Sequence, residues 1–401
     1  MEQRIEQTSP LKASGDSGFA LEISLVRGGP FYRTQEVIRL LTPERWNLGK
    51  RIGVAIGVGW VPLVVLTLLL KPQSIGDLLT DYVVNVRMLI AVPVLLAGQV
   101  LMESVCRMIL RHIREAELLS SRDQAKMDLT ILSLVRLRDS FVAEAVMVVI
   151  AYLQFATKIR SSQGIAHAWG LNDMGTGLHL SAAGWYFAVV SQLLYQLLLG
   201  ISLWKWLLWI RFLFSLSRLD LHLVPTHPDH HGGLGFLGMS PVAIAPTVFV
   251  ASAAIGSTWR TEILKYGAHL KDLKIEAIVL LVVVLLVAMG PLVFFVPKLD
   301  SLRRMGTLQY GILGQMHSTE FHKKWILNRT GHEEEFLAAP EISSLIDYAS
   351  SYENVEKMQP FPLDRGALVA VVVAFAIPML PVVLAEIPFV TVLKGLLSAV
   401  K

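Results

Sequence analysis

The sequence is poor in charge and in cysteine, and each shortage excludes a class of protein. Charged residues make up 17% of the 401 residues, against about 25% in a typical soluble domain. Hydrophobic residues make up 53%, and they are concentrated in blocks. This composition indicates an integral membrane protein whose main partner is the lipid bilayer. Cys106 is the only cysteine, which excludes an intrachain disulfide and a cysteine-rich metal cluster.

Several functional motifs are also missing. The chain contains no Walker motif and no serine nucleophile elbow, so the common nucleotide-hydrolysing and esterase classes are not indicated. The first twenty residues are polar and lack a short apolar stretch before a cleavage site, so we expect no cleaved signal peptide. The sequence pI is about 9.1, but the basic residues lie between apolar blocks. Membrane topology explains this distribution better than nucleic-acid binding does.

Long apolar runs are abundant. A spanning helix needs about 20 mainly apolar residues, and seven windows qualify. The sequence therefore predicts an all-α integral membrane protein, a bundle of about seven transmembrane helices with cytoplasmic helical extensions. The windows are residues 52–70, 88–106, 140–157, 182–213, 241–257, 277–296 and 366–385.

Two of these windows are unusual in length. Window 182–213 is too long for a bilayer, so it must tilt, kink near Gly200 or project into the cytosol. Its aromatic residues fit an interfacial belt, with Lys205 extending to the water among them. Window 241–257 is short and rich in alanine and glycine, which favours close helix packing, and a re-entrant segment is the alternative. The belt residues are Trp204, Trp206, Trp209 and Phe212.

Lysine and arginine are distributed unevenly between the two sides that seven spans would create. Segments 1–51, 107–138, 211–240 and 298–365 together hold 25 of the 36 basic residues, whereas the connecting segments on the opposite side hold 10. By the positive-inside rule, we expect a cytoplasmic N-terminus.

The chain accordingly divides into four parts. Residues 1–50 form a cytoplasmic N-terminal segment, and residues 51–297 carry spans one to six. The bundle includes a helical hairpin at 107–138, which turns near Ser120, and a loop at 214–240. Residues 298–365 form a cytoplasmic helical segment that is a candidate partner-binding site. Residues 366–401 carry the last span, which prolines interrupt, and a short tail.

The loop contains the densest cluster of potential ligands in the chain. Imidazole and carboxylate groups together suit a divalent metal such as zinc, iron or manganese, and the candidate ligands are His222, His227, Asp229 and His231. Their spacing matches no strict zinc motif, and Pro228 prevents a regular helix face. The competing interpretation is a structured turn in which His227 and Asp229 cap backbone groups.

Glycines follow this cluster directly. Gly233 to Gly238 fit the pattern GxGxxG ahead of a helix start, and exposed backbone N–H groups there attract anions. A dinucleotide site needs a βαβ unit, which a helical bundle does not supply. The alternative is that Gly232, Gly233 and Gly235 let the chain turn tightly and re-enter the membrane.

Two acidic residues lie inside apolar windows. Glu103 and Glu144 are near the cytoplasmic ends of spans two and three, and antiparallel spans would bring them to similar depth. Intramembrane carboxylates are candidates for an ion or proton path. The competing interpretation pairs each with a nearby arginine, Arg107 or Arg138.

The chain resembles a family of uncharacterised polytopic bacterial inner-membrane proteins with an LVPTHPDxxGGLGF loop. The residues that carry the resemblance are 223–229, 232–236, 321–325, 344–353 and the exit Met358-x-Pro360. The resemblance implies a multi-pass protein of the bacterial inner membrane, and it implies that His227, Asp229 and the glycines belong to the family pattern. It brings no activity and no catalytic residue.

Three functions remain open. The first is a channel or transporter-like protein whose cytoplasmic mouth includes the loop, Glu103 and Glu144. The second is a membrane-bound enzyme that uses a divalent metal at the His/Asp loop, although the sequence favours a protein that is not an enzyme. The third is a sensor or scaffold that acts through 298–365, and a homo-oligomer is compatible with each.

Overall fold

A computed structural model describes residues 24–41, 46–160, 168–173, 178–327 and 340–386 of the chain. Eleven helices in these residues carry the fold. They are α1 Pro30–Val37, α2 Leu48–Leu70, α3 Ile75–Thr80, α4 Tyr82–Glu115, α5 Ser121–Arg138, α6 Phe141–Arg160, α7 Ala182–Ser217, α8 Gly235–Tyr266, α9 Leu270–Leu327, α10 Pro340–Glu356 and α11 Arg365–Glu386.

A small antiparallel hairpin accompanies the helices. Strands β1 Leu171–Asp173 and β2 Leu178–Leu180 pair with Asn172 opposite His179. Because the hairpin has three residues a strand, the all-α prediction holds for the body of the protein.

Six of the described helices are long and apolar enough to cross a membrane: α2, α4, α7, α8, α9 and α11. Each contains one of the predicted windows. The remaining window falls in α6, a 20-residue helix whose residues Phe141–Gln154 are apolar and which is not among these six. The fold is therefore compatible with a multi-pass membrane protein.

Helix α8 lies at the centre of the bundle and has the most buried apolar stretch of the six. It is longer than its predicted window because a 3₁₀ segment begins at Gly235 and continues through Pro241 into the α-helix. Small residues let α11 approach closely. A Cβ at Gly256 would lie 3.1 Å from the carbonyl oxygen of Pro378, and Ser252 Oγ donates to the carbonyl of Phe375 at 2.6 Å. The helical length of α8 favours a span over the re-entrant alternative.

The prolines of the last window do not interrupt it. Helix α11 runs through Pro378 and Pro381 to Glu386, whereas Pro388 lies outside the described residues. Likewise, the α-helical pattern of α7 is unbroken at Gly200, and the irregularity is a π-helical turn at 187–191. Of the three alternatives for this window, the break at Gly200 is not observed, and that glycine accommodates Met147 of α6.

The predicted aromatic belt of α7 is part of the core instead. Trp206, Trp209 and Phe212 are at most 1% exposed, and Lys205 is 4% exposed. Trp206 Nε1 donates to the carbonyl of Val287 in α9 at 3.1 Å. These side chains are covered by neighbouring helices, so Lys205 does not extend to the water.

The four basic segments meet at one end of the bundle. The hairpin turns as predicted, with Ser120 Oγ accepting from the N–H of Asp123 at the start of α5. Leu119 forms a β-bridge with Leu221 of the loop. Helix α9 continues far past its apolar part and pairs with α10, so the predicted helical extensions are present.

Candidate functional site

Two groups of polar side chains lie at this end of the bundle. We call residues 218–238 the HPD loop, after His227, Pro228 and Asp229. From here on, the name N-terminal segment is used for residues 24–41 alone, which are part of the predicted segment 1–50. The loop connects α7 to α8 and includes the first four residues of α8, which are 3₁₀-helical. The segment precedes α2.

Asp229 organises the HPD loop from its centre. Its Oδ1 accepts from the N–H of His231 at 2.8 Å and of Gly233 at 3.1 Å. Its Oδ2 accepts from the N–H of Gly235 at 2.8 Å, and His227 Nδ1 lies 2.8 Å from Oδ1. The carboxylate therefore accepts from two backbone donors of the turn and from Gly235, the first residue of α8.

The pKa of Asp229 is held below its ordinary value. Burial acts to raise this pKa, but the backbone hydrogen bonds from His231, Gly235 and Gly233, with that of the His227 side chain, outweigh it. These donors stabilise the ionised form. The glycine-rich turn therefore already holds an anion, which is its own aspartate.

The glycines are required by the geometry of this turn. Gly232 and Gly233 have φ of +64° and +94°, in the left-handed region. A Cβ at Gly232 would lie 2.7 Å from Leu302 of α9, and one at Gly235 would lie 3.0 Å from Asp229 Oδ2. The prediction that they permit a tight turn is confirmed.

The loop also ties the helical extensions to the bundle. His231 Nδ1 lies 3.0 Å from the carbonyl oxygen of Gln359, and the N–H of Gln359 donates to the carbonyl of His230 at 2.8 Å. Asn354 Nδ2 of α10 donates to the carbonyl of Thr226 at 3.3 Å. The HPD loop is thus a junction between the bundle and the segment 340–364.

The four-ligand metal site does not form. His227 and Asp229 are adjacent, but His231 turns toward Gln359, and His222 lines a separate cavity of α4 and α5 with Arg114. Among the described residues, which include all four candidates, no group of three potential ligands can hold a metal ion. The backbone bonds of Asp229 fix the turn in a shape that separates these side chains.

The second group of polar side chains surrounds Glu103 in the interior. Glu103 is 4% exposed and pairs with Arg107 one turn later on α4, with Arg27 Nε at 3.6 Å. Ser24 Oγ also donates to this carboxylate. The predicted pairing of Glu103 with Arg107 is confirmed, and the N-terminal segment adds two further partners.

Glu144 has a different partner from the one expected. Its carboxylate accepts from the N–H of Phe31 at 2.9 Å and caps the first turn of α1. Arg138 instead binds Asp139, at 2.7 Å, and the carbonyl of Ser24. Asp139 Oδ1 also accepts from the N–H of Gly29 at 3.0 Å. Four charged side chains of α4 to α6 therefore hold the N-terminal segment in place.

The pKa of Asp139 is below its ordinary value. Burial acts to raise this pKa, and the outweighing contributions come from Arg138, the N–H of Gly29 and Arg33. Asp139 is thus a charged anchor for the segment.

Four further buried polar side chains come from four different helices: Gln35, Arg51, Gln99 and Lys205. Arg51 is 2% exposed and donates to Gln35 Oε1 at 2.7 Å and to Gln99 Oε1 at 2.8 Å. Lys205 lies within electrostatic range of Glu103, Glu144 and Arg51. The structure thus brings Glu103 and Glu144 into one charged cluster.

The HPD loop is not part of this cluster. His112 of α4 packs against Phe236 of the loop with ring centroids 4.2 Å apart, and Glu103 lies nine residues earlier on the same helix. At 1.5 Å a residue, that is about 14 Å. The loop, Glu103 and Glu144 were predicted to form one mouth. In the structure the HPD loop is a structural junction, and Glu103 and Glu144 belong to the charged interior.

Arg51, Lys205 and the N-terminal segment were not predicted from the sequence to belong to a site. Lys205 carried the available signal, since it is a basic residue within a long apolar run, whereas Arg51 directly precedes one. Matches to this chain were sought among protein family models, curated proteins and solved structures, and none was found. The resemblance to a bacterial membrane family stays a prediction.

Proposed function

We propose that this protein moves a small polar solute or ion across a membrane, through a path that includes the buried charged cluster. The proposal rests on three buried charged residues: Arg51, Glu103 and Lys205 are each at most 4% exposed, and they lie in helices apolar enough to span a bilayer. Such residues commonly mark ion and substrate pathways.

The hydrogen bonding of the cluster supports a path rather than a closed structural network. Arg51 Nη1 and Gln99 Nε2 are buried donors without a partner among the described residues. Buried donors are ordinarily paired. Donors left over beside several charges suit a site that coordinates a passing polar species.

The N-terminal segment is the proposed gate of this path. Its own residues Leu25 and Val26 are buried in the core of the bundle, and its backbone is held by Arg138, Asp139 and Glu144. Displacing the segment would expose the cluster at that end. By the lysine and arginine distribution, this end is cytoplasmic, and the resemblance of the chain adds the bacterial inner membrane.

The test is solute flux in proteoliposomes. Vesicles containing purified protein are placed in isosmotic potassium chloride, acetate or phosphate with valinomycin, and swelling is followed by light scattering. Lys205→Met removes the buried charge while keeping an apolar chain of similar length. We expect it to reduce flux at least tenfold.

Lys265→Met is the matched control, because Lys265 is an exposed residue near the end of α8. It should leave flux within twofold of the wild type. Equal flux through wild type, Lys205→Met and empty vesicles for every salt would overturn the proposal.

A second candidate function rests on a separate surface. Beyond the apolar part of α9, four large apolar residues spaced three or four apart are more than half exposed. Such a stripe suits contact with a partner helix, in keeping with a sensor or scaffold acting through 298–365. These residues are Met305, Leu308, Ile312 and Met316. Light-scattering mass analysis and pull-down of wild type against Leu308→Gln test it, and unchanged mass and unchanged partners would argue against it.

A further inference from the structure

Helices α2, α4 and α7 each lose the regular α-helical pattern at one common level of the bundle. Helix α2 breaks between Gly59 and Val61, α4 has a π-helical turn at Val86–Ala91, and α7 has its π-helical turn at Phe187–Ser191. Turns of this kind are rare and occur frequently at functional sites. Discontinuous membrane helices are also common in transporters, so we asked what joins these three turns.

The break in α2 leaves two of its backbone carbonyls without their usual donors. Pro62 has no N–H to give to the carbonyl of Val58, four residues earlier. The N–H of Leu63 donates to the carbonyl three residues back, so the carbonyl of Gly59 also loses its helical partner. Such groups need another donor inside a bilayer, where no water can satisfy them.

Helix α7 supplies a hydroxyl group to each of these carbonyls. Tyr186, directly before the π-helical turn, donates from its hydroxyl to the carbonyl of Val58 at 2.7 Å. Ser191, which is fully buried at the end of that turn, donates from Oγ to the carbonyl of Gly59 at 2.6 Å. The break in α2 is therefore bonded directly to the irregular turn of α7.

The other two pairs of helices are joined at the same level. Trp60 Nε1 of α2 donates at 2.9 Å to Oδ1 of Asn85, which directly precedes the π-helical turn of α4. Within that turn, Arg87 Nη1 donates to Gln192 Oε1 of α7 at 3.1 Å. Side-chain bonds thus connect each of the three helices to the other two. We call the six residues that form them the three-helix latch: Trp60, Asn85, Arg87, Tyr186, Ser191 and Gln192.

The three-helix latch is far from the charged cluster along the bundle. Arg87 lies 16 residues before Glu103 on α4, and Gln192 lies 13 residues before Lys205 on α7. At 1.5 Å a residue, these separations are about 24 and 20 Å, which is most of the roughly 30 Å thickness of a bilayer core. Because the N-terminal segment contacts Glu103 directly, the latch and that segment lie toward opposite ends of the bundle.

We propose that the three-helix latch is the second gate of the path, at the end opposite the N-terminal segment, and that its three irregular turns open together. A few residues without regular helical geometry can absorb the dihedral changes of a hinge, and the bonds between the helices couple the three hinges. The gate rests on the proposed transport function, whereas the coupled opening of the turns stands without it.

Hydrogen–deuterium exchange of the full-length protein in lipid nanodiscs tests the coupling. Ser191→Ala removes a bond between α7 and α2, and its effect is read in the turn of α4. Trp60→Phe removes the bond between α2 and α4, and its effect is read in the turn of α7. Loss of one ordinary hydrogen bond shifts an opening equilibrium about fivefold. We therefore expect exchange about fivefold faster in all three turns of both variants.

Ser202→Ala is the matched control, because Ser202 is also a buried serine of α7 but donates within its own helix, to the carbonyl of Leu198 at 2.9 Å. Its three turns should exchange as in the wild type, and α11 should be unchanged in every variant. Faster exchange confined to the two helices of the broken bond would overturn the coupled opening. An equal rise in all helices, α11 included, would overturn it as well.

Flux in the proteoliposome assay tests whether the latch is a gate. Ser191→Ala should raise flux about fivefold, because the lost bond opposes opening, and Ser202→Ala should not change it. Coupled exchange with unchanged or lower flux in Ser191→Ala would overturn the gate. Coupled exchange without any wild-type flux would overturn the transport function and leave the coupled opening in place, whereas wild-type flux with uncoupled exchange would overturn this inference alone.

Discussion

The HPD loop and the N-terminal segment lie at the same end of the bundle, and they use charge in opposite ways. In the loop, one aspartate satisfies three backbone donors and leaves the cluster without free capacity for a metal or an anion. Around the segment, charged side chains from several helices pair with one another: Glu103 contacts Arg27 and Arg107, and Asp139 contacts Arg33 and Arg138. The residues most conspicuous in the sequence are thus structural, whereas the polar interior depends on residues spread over the chain.

This difference predicts that loop variants lose stability and keep activity, whereas cluster variants lose activity. Replacing a whole buried ion pair by well-packed apolar residues is often neutral or stabilising, but removing one partner of a pair is destabilising. Removing the acceptor of several buried donors is strongly destabilising.

Asp229→Ala should have the largest effect on stability. The N–H groups of His231, Gly233 and Gly235 lose their acceptor, and each unsatisfied buried donor costs about 1–3 kcal/mol. We expect a loss of about 3–5 kcal/mol, measured by chemical denaturation in detergent. Flux per folded molecule should stay near the wild-type value, and a folded but inactive variant would place the loop in the path.

Gly28→Ala should release the N-terminal segment. Gly28 has φ of +143°, and a Cβ there would lie 2.4 Å from the Arg138 guanidinium. We expect a local cost of about 2 kcal/mol and faster tryptic cleavage at Arg27 and Arg33. Gly53→Ala, where a Cβ meets nothing within 4 Å, is the control. Equal cleavage rates would show that Gly28 does not hold the segment.

Acid should weaken the loop through Asp229. Because the folded-state pKa of Asp229 is lowered, its carboxylate contributes stability above the unfolded pKa of about 3.9, and this contribution is lost as pH falls through the folded pKa. Wild type should therefore exceed Asp229→Asn in melting temperature at pH 6, and the difference should shrink toward pH 3. A constant difference would mean that the carboxylate charge does not stabilise the turn.

His231→Ala should have the smallest effect, about 1 kcal/mol, because it removes one side-chain contact with the Gln359 carbonyl. His231→Asn can restore a donor and should recover part of the loss. Metal content should be the same in all three proteins, measured by elemental analysis. A bound metal lost only in the histidine variant would revive the metal interpretation.

Much of the fold could be predicted because it depends on local composition. Each predicted apolar window matches an observed helix to within one residue, since a spanning helix satisfies its own backbone hydrogen bonds. The capping role of Asp229 and the Glu103–Arg107 pair were also predictable, because their partners lie within six residues.

Other features could not be read from the sequence because their partners are distant. Phe31 and Glu144 are 113 residues apart, and Arg51 and Gln99 are 48 apart. The aromatic residues near Lys205 have the composition of an interfacial belt, and only their neighbouring helices make them core.

By itself, the sequence determined the helical architecture, its apolar spans and the tight turn at Asp229, since backbone hydrogen bonding and side-chain hydrophobicity act over short distances. Only the tertiary structure decided that Arg51, Glu103, Glu144 and Lys205 form one cluster and that residues 24–41 close over it. The physical reason is that charge–charge energies depend on separation in space. Helix packing sets that separation, and spacing along the chain does not.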